Sequence, residues 1–488
     1  MSTLLLEADN IVKQFGDKVI LDVNSFKIYS GDRIGFVGLN GVGKTTLLDI
    51  LFGEIEPDSG NIRRYCDIGY IRQFEQIKIE ERSAGKLGEY GVLDKVHNSE
   101  LSGGEITRIK IANVLSGNYR LLFADEPTSS VDMYGVDMFG LEMSRYDSFL
   151  LVSHNRDLLN RYCNRIISIE NCAIASYEGN YDAYKSQVLA KQERKILEHQ
   201  LFVREKERLH KVLAEKKATA KKVTKSPKGM TSKEIRARKF ESNMGGRSFQ
   251  AKQKNINQSA KAIESRISQL EEKQPHIEPP IMKFEFSIDD PPRGKIVLHS
   301  SEVNFAYGDH VLFDRAKLEV CNGAKVALCG ENGSGKSTLL NIIFARQVKL
   351  APKLTIGYFR QDFEQLDMGK SVLQNALRDS NRSESSARSI LAQLLFTRDT
   401  IYKQAGALSG GERIKLGLAK LLLSGCNMLL LDEPTNYLDI PSLEALQKIL
   451  LAYEGTLMFV SHDRAFVNSV SSAILLIKDK KIVQVDKI

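Results

Sequence analysis

Gly38-Leu39-Asn40-Gly41-Val42-Gly43-Lys44-Thr45 sits between the apolar run Arg33-Ile34-Gly35-Phe36-Val37 and the helical run Thr46-Leu47-Leu48-Asp49-Ile50-Leu51. This is the G-x-x-x-x-G-K-[ST] pattern in the strand-to-helix setting that gives it meaning. Glycines bring backbone N–H groups around a chain of phosphates, and the helix N-terminus adds a favourable dipole. Lys44 reaches the terminal phosphates, and Thr45 offers a hydroxyl to Mg²⁺. Val326-Ala327-Leu328-Cys329 runs into the same pattern again, Gly330-Glu331-Asn332-Gly333-Ser334-Gly335-Lys336-Ser337. The candidate phosphate cradles are therefore Gly38, Asn40, Gly41, Gly43, Lys44, Thr45 and Thr46, and then Gly330, Asn332, Gly333, Gly335, Lys336, Ser337 and Thr338. A glycine turn beside a chance lysine does not account for two copies.

The same further motifs follow each cradle. Leu101-Ser102-Gly103-Gly104-Glu105 precedes an amphipathic stretch and recurs as Leu408-Ser409-Gly410-Gly411-Glu412; its glycine amides either meet a second anion or only cap a helix. Leu121-Leu122-Phe123-Ala124 leads into Asp125-Glu126, and Leu430-Leu431 into Asp432-Glu433. Asp125 and Asp432 can hold the water shell of a metal, while Glu126 and Glu433 can orient or deprotonate a water. His154 and His462 each follow a serine at the end of an apolar strand; one such histidine is more often structural, and recurrence makes these two catalytic candidates. The serines of the two copies lie 307 residues apart, the glutamates 307 and the histidines 308, but Lys44 and Lys336 only 292. The second copy thus has 15 additional residues between cradle and Leu-Ser-Gly-Gly, which belong in a helical part.

Between the copies lies a bridge of opposite electrostatic character. Residues 185–273 hold 24 Lys+Arg and 10 Asp+Glu, a net +14 in a chain whose total is +8, so a polyanionic partner meets the protein mainly here. From Tyr184 to about Ala214 there is no Gly or Pro, which favours one long helix, with Leu189, Ile196 and Val203 in heptad spacing before the phase drifts to Leu209 and Leu213. The return segment places Ile256, Ala260, Ile263, Ile267 and Leu270 in a coiled-coil seam. A basic, partly irregular tip is expected at about 216–247, and a Pro-rich strap runs from Glu271 to Arg293. The bridge is either a solvated spacer or a surface for folded RNA, which is recognised largely by phosphate and shape. No apolar run approaches the roughly 18–20 residues of a membrane span, and the start lacks a secretory signal, so a cytoplasmic location is expected. The six cysteines show no metal-like pairing.

These motifs resemble the ATP-binding cassette family over essentially the whole chain outside the bridge. The resemblance implies an α/β fold: a first cassette at 1–184, an α-helical hairpin linker at 185–294 and a second cassette at 295–488. It further implies a head-to-tail sandwich in a monomer, with two ATP molecules between the P-loop of one copy and Ser102-Gly103-Gly104 or Ser409-Gly410-Gly411 of the other. By the same resemblance Gln73 and Gln361 are Q-loop contacts to metal and water. Phe15 and Tyr307 stack on adenine, unless they are simply core residues. The first copy departs from the family at Ser129-Ser130-Val131-Asp132 and at Asn155, where the second has Asn436-Tyr437-Leu438-Asp439 and Asp463. Two competent sites of unequal rate are expected, the alternative being a dead first site.

Fused cassettes with a charged helical linker and no membrane domain resemble the ABC-F proteins, which bind the ribosome from the tRNA exit site. Short cassettes and the absence of a C-terminal extension are similar to the Msr-type resistance members. That implies a protein that meets the rRNA and tRNA of the ribosome through its basic linker and protects the ribosome against macrolides and streptogramin B, or else against lincosamides, pleuromutilins and streptogramin A. A housekeeping ABC-F translation factor and the detached ATPase of a drug exporter are the alternatives.

Overall fold

The computed structural model describes residues 3–73, 84–93, 103–129, 131–223, 233, 254–270, 292–360, 365–380 and 382–486. Ser102, Gln361, most of the expected tip and residues 271–291 of the strap lie outside them. Two compact units emerge, one drawn from Met1–Tyr184 with Ile281–Ile488 and the other from Lys185–Pro280.

In the first copy, the hairpin strands β1 (Leu4–Phe15) and β2 (Lys18–Tyr29) precede β3 (Arg33–Val37) and α1 (Lys44–Phe52). Then come β4 (Ser59–Arg64), β5 (Ile68–Ile71), α2 (Ala84–Glu89), α3 (Gly103–Leu115), β6 (Leu121–Asp125) and α4 (Met133–Met143). The copy ends with β7 (Phe149–Val152), α5 (Arg156–Tyr162), β8 (Arg165–Glu170) and β9 (Ala173–Glu178). The bridge contributes α6 (Tyr181–Val223) and α7 at residues 254–270. The second copy opens with β10 (Ile296–Tyr307), β11 (His310–Cys321), β12 (Lys325–Cys329), α8 (Lys336–Phe344), β13 (Lys349–Leu350) and β14 (Ile356–Phe359). It continues through α9 (Val372–Leu377), α10 (Glu384–Gln393), α11 (Gly410–Leu423), β15 (Met428–Asp432), α12 (Ile440–Ala452) and β16 (Thr456–Val460). The last elements are α13 (Arg464–Val470), β17 (Ala473–Lys478) and β18 (Lys481–Val485).

Each copy has one six-stranded sheet, β5-β6-β7-β3-β8-β9 or β14-β15-β16-β12-β17-β18, parallel except for its last strand. A three-stranded antiparallel sheet, β2-β1-β4 or β11-β10-β13, stands beside it. Strands β3, β6 and β7 are apolar runs buried on both faces, as strands inside a parallel sheet must be. Phe36 pairs with Val152, and Val152 with Asp125, so three adjacent strands end level. That register sets the P-loop, the Asp-Glu pair and the Ser-His pair side by side at the carboxyl edge of the sheet, where open α/β sheets bind ligands. The second copy has α9 and α10 ahead of α11 where the described residues of the first have α2 ahead of α3, and its β13 is shorter than β4.

The bridge corrects two expectations. Helix α6 is 43 residues long and continues through Val223, so the tip does not begin at 216; the run Lys216 to Val223 has no Gly or Pro to stop it. Leu189 and Ile196 are not seam residues, being 48% and 45% exposed. Beyond them α6 buries Phe202, which the heptad did not mark, and Leu209, to which its phase drifts; on α7 Ala260 and Ile267 are buried, as the return seam anticipated. The phase of α6 is set by what α7 covers, and heptad spacing alone does not reveal that. Lys217 pairs with Glu264 (2.7 Å) and Arg266 with Glu205 (3.7 Å), an order that runs in opposite senses along the two helices.

The two copies share apolar cores. Ile440, the first residue of α12, belongs to the buried cluster of the first copy with Phe139 and Tyr181, and Met133, the first residue of α4, packs against the cluster of the second. Ile440→Ala should therefore cost about 2–5 kcal/mol, the usual range for emptying a buried isoleucine site. In denaturant unfolding, transitions of both copies should move to lower concentration; a shift confined to the second would contradict a shared core.

Candidate active sites

Gly43 and Gly335 begin α1 and α8 at φ values of 103° and 97°, a left-handed conformation that glycine adopts most readily. A Cβ at Gly43 would also meet Ile20 at 2.6 Å. The loops curl so tightly that Lys44 Nζ donates to the carbonyls of Gly38 (2.9 Å) and Leu39 (3.0 Å), and Lys336 Nζ to Gly330 (2.9 Å) and Glu331 (2.8 Å). Burial lowers the pKa of both lysines, against the pull of Glu126 and Glu433.

The Thr45 hydroxyl donates to Asp125 Oδ2 at 2.6 Å, and Ser337 likewise bonds Asp432. Glu126 and Glu433 hold φ values of 46° and 48°, strained for a side-chain-bearing residue. Burial pushes each up to about 8. His154 Nε2 lies 3.3 Å from Glu126 Oε1, and His462 Nε2 3.1 Å from Glu433 Oε1. Burial, reinforced by the nearby lysine, holds His154 down at about 3 and His462 at about 4. These contacts join neutral imidazoles to carboxyl groups and are not ion pairs. Asp432 Oδ1 is buried without a hydrogen-bond partner, which leaves an oxygen acceptor to spare beside Ser337. Hydroxyl, carboxylate and amide oxygens suit Mg²⁺, which takes one or two protein oxygens beside phosphates rather than a full protein cage.

Each cradle is closed by the other copy. A cavity of about 910 Å³ is lined by Lys44, Thr45, Thr46, Gln73, Glu126 and His154 together with Ser409, Gly410 and Gly411. A second, of about 530 Å³, joins Asn332, Lys336, Ser337, Thr338 and Glu433 to Gly104. Ser409 caps α11 in a reciprocal box with Glu412, which holds the Gly410-Gly411 turn in place. Phe15 and Tyr307 border the two cavities and are 54% and 61% exposed, so neither is core.

Sequence reasoning missed the residues that hold the copies together here. Asp439 caps α12 through Ser442 N (3.0 Å), and its other oxygen accepts from Asn40 N of the first P-loop (3.0 Å). Asp132 caps α4 through Gly135 N (3.0 Å) and accepts from Asn332 N of the second (3.2 Å). Burial works to raise both carboxyls, yet these hydrogen bonds and a nearby cation, Lys415 or Arg108, keep them below the usual range. The signal was an aspartate six residues after each glutamate, directly before a helix.

Replacing both Glu126 and Glu433 by Gln should leave ATP binding intact while slowing hydrolysis about 10²–10⁴-fold, the usual contribution of a positioned base. Phosphate release and equilibrium nucleotide binding, measured side by side, check this; unchanged turnover would remove both residues from the chemistry.

The family model described as ABC transporter matches residues 21–129 and 313–436. The chain is 30% identical over 492 residues to the erythromycin resistance ATP-binding protein MsrA of Staphylococcus epidermidis, covering 96% of this chain and 97% of that one. It is 29% identical to the ribosome protection protein VmlR of Bacillus subtilis, covering 97% and 86%. Among solved structures, that of an RNase-L Inhibitor aligns with a TM-score of 0.64 at 18% identity, over 96% of this chain and 87% of that one, a likeness of fold. No helix among the described residues is long and apolar enough to cross a membrane. With two P-loop cassettes facing one another's glycine turns, the chain belongs to the ABC-F family of tandem-cassette ATPases, which bind and hydrolyse ATP, and resembles its Msr-type ribosome-protection members.

Proposed function

We propose that this protein protects the ribosome from antibiotics in the cytoplasm. ATP closes the sandwich of a single chain, the closed form binds near the tRNA exit site, and the tip of the basic linker acts near the peptidyl-transferase centre to release drug. Macrolides and streptogramin B are the first choice of drug class, with lincosamides, pleuromutilins and streptogramin A second. The observation that carries this reading is near full-length similarity to an erythromycin resistance protein, joined to a bridge of net +14 suited to rRNA and tRNA.

In this reading the two cradles and the opposing Ser102-Gly103-Gly104 and Ser409-Gly410-Gly411 turns hold ATP, with Phe15 and Tyr307 against adenine. Thr45, Gln73 and Asp125 in one site, and Ser337, Gln361 and Asp432 in the other, would hold Mg²⁺, which supplies charge neutralisation on the phosphates. Glu126 and Glu433 orient the attacking water, and His154 and His462 fix those carboxyls. Both sites turn over, at unequal rates.

The test is replacement of residues 229–245 by a short Gly-Ser turn. Ribosome-free ATP hydrolysis should persist, since no cradle is touched. Ribosome binding should weaken and lose part of its salt dependence with Lys233, Arg236, Arg238 and Lys239 gone, because each phosphate contact adds to the slope of log K against log salt. Survival of a sensitive bacterium on a panel of macrolides, lincosamides, pleuromutilins and phenicols should fall further than binding does. Wild-type protection and salt dependence would reduce the tip to a spacer.

A further inference from the structure

The copies are related by an offset of about 307 residues, so Asp137 on α4 corresponds to Glu444 on α12, and Arg156 on α5 to Arg464 on α13. These two acidic positions have been given different partners. Asp137 receives Arg464 of the other cassette in a bidentate pair, at 2.6 and 2.7 Å. The corresponding Arg156 turns instead to Gln447 (3.4 Å) and Asp463 (3.8 Å), and Glu444 accepts a hydrogen bond from the Tyr181 hydroxyl at 3.4 Å. Tyr181 is the first residue of the 43-residue linker helix.

The first turn of that helix is therefore held by both cassettes. On its own side, the Asp182 amide donates to Asn160 Oδ1 at 2.9 Å, and Asn160 lies on α5, the helix that starts two residues after His154. On the other side, Glu444 lies on α12, whose capping residue Asp439 grips the first P-loop at Asn40. The Tyr181 ring is only 5% exposed and shares a cluster with Ile440 of the same α12. Any separation of the cassettes that moves α12 away from α5 must pull Glu444 and Ile440 off Tyr181.

The geometry points to Tyr181 as a positioning residue that passes closure of the two cassettes to the first turns of the linker helix, with Glu444 as its counterpart across the interface. One acidic position of the pseudosymmetric pair latches the cassettes to each other, and the other reads that latch into the linker. The role requires nucleotide-dependent closure but no ribosome, so it is tested without one.

Hydrogen exchange of the full chain, read by mass spectrometry over residues 181–190, is compared with and without adenylyl imidodiphosphate and Mg²⁺, alongside ATP hydrolysis in the same preparations. The wild-type segment should gain protection of about tenfold with nucleotide, a change typical of local rather than global opening. Tyr181→Phe keeps the buried ring and loses only the hydroxyl; Glu444→Gln loses only the charge. Each should cut the nucleotide-dependent gain by at least half, with hydrolysis within about twofold of wild type, because the hydrogen bond to a charged group that is lost lies away from the active sites. A gain retained in full by both variants would overturn the inference. So would equal loss of protection with and without nucleotide, which marks Tyr181 as packing alone, or a wild-type segment indifferent to nucleotide. Absence of hydrolysis in the wild type would instead count against the ATPase-driven reading above.

Discussion

Two aspartates do double duty at the cassette interface, and the architecture of both sites depends on them. Asp439 and Asp132 each terminate a helix of one cassette and accept the P-loop amide of the other. A cap of this kind is worth about 1 kcal/mol to its helix, and a hydrogen bond to a charged acceptor about 1.5–3 kcal/mol. Because one carboxylate makes both, through separate oxygens, the same side chain that starts α12 also positions the P-loop opposite it. Ile440 and Met133, the residues that follow, bury the gain by inserting into the opposing cores.

That shared construction does not make the halves alike. Asp132 is accompanied by Arg108 at 2.9 Å, whereas Asp439 has the half-buried Lys415 nearby. Asn155 caps α5 with two amides, and Asp463, its charged counterpart, faces Arg156 across the interface. Arg108 and Lys415 each belong to the cassette of the aspartate beside them, and Asn155 is satisfied within its own helix, so only the Asp463–Arg156 contact among these crosses the interface. The changes are local to the contact and leave both lysines, both Asp-Glu pairs and both histidines in corresponding positions.

What the sequence disclosed follows from how tightly chemistry restricts residue type. A phosphate cradle demands glycines and a lysine at fixed spacing, and a parallel central strand demands an unbroken apolar run, so β3, β6, β7 and the residues at their ends were legible. The fit of Gly411 against the carbonyl of Tyr437, where a Cβ would lie at 2.6 Å, was not, since it depends on a surface supplied by a distant stretch of chain. The same holds for Asp132 and Asp439, whose spacing was visible but whose second hydrogen bond needs the other cassette. In the linker the heptad reading failed at Leu189 and Ile196 because apolar spacing fixes a stripe and not which part of it is covered. α7 repeats its spacing four and three without drift, and there the reading matched the buried Ala260 and Ile267.

The hairpin's cohesion and its attraction for a polyanion rest on opposed responses to salt. Its described seam buries Phe202, Leu209, Ala260 and Ile267, and its described cross-helix ion pairs are solvent-facing, of the kind worth about 0–1 kcal/mol. Against them stands the mutual repulsion of a segment with net charge +14. Added salt screens that repulsion within about 8–10 Å, so it eases the strain on the two helices while weakening every contact to phosphate. Burial of the apolar seam, being non-ionic, is not weakened by the same screening. A loss of polyanion binding on raising salt therefore reports the release of phosphate contacts and not melting of the hairpin, and a polyanion that neutralises the segment should at the same time hold its helices together.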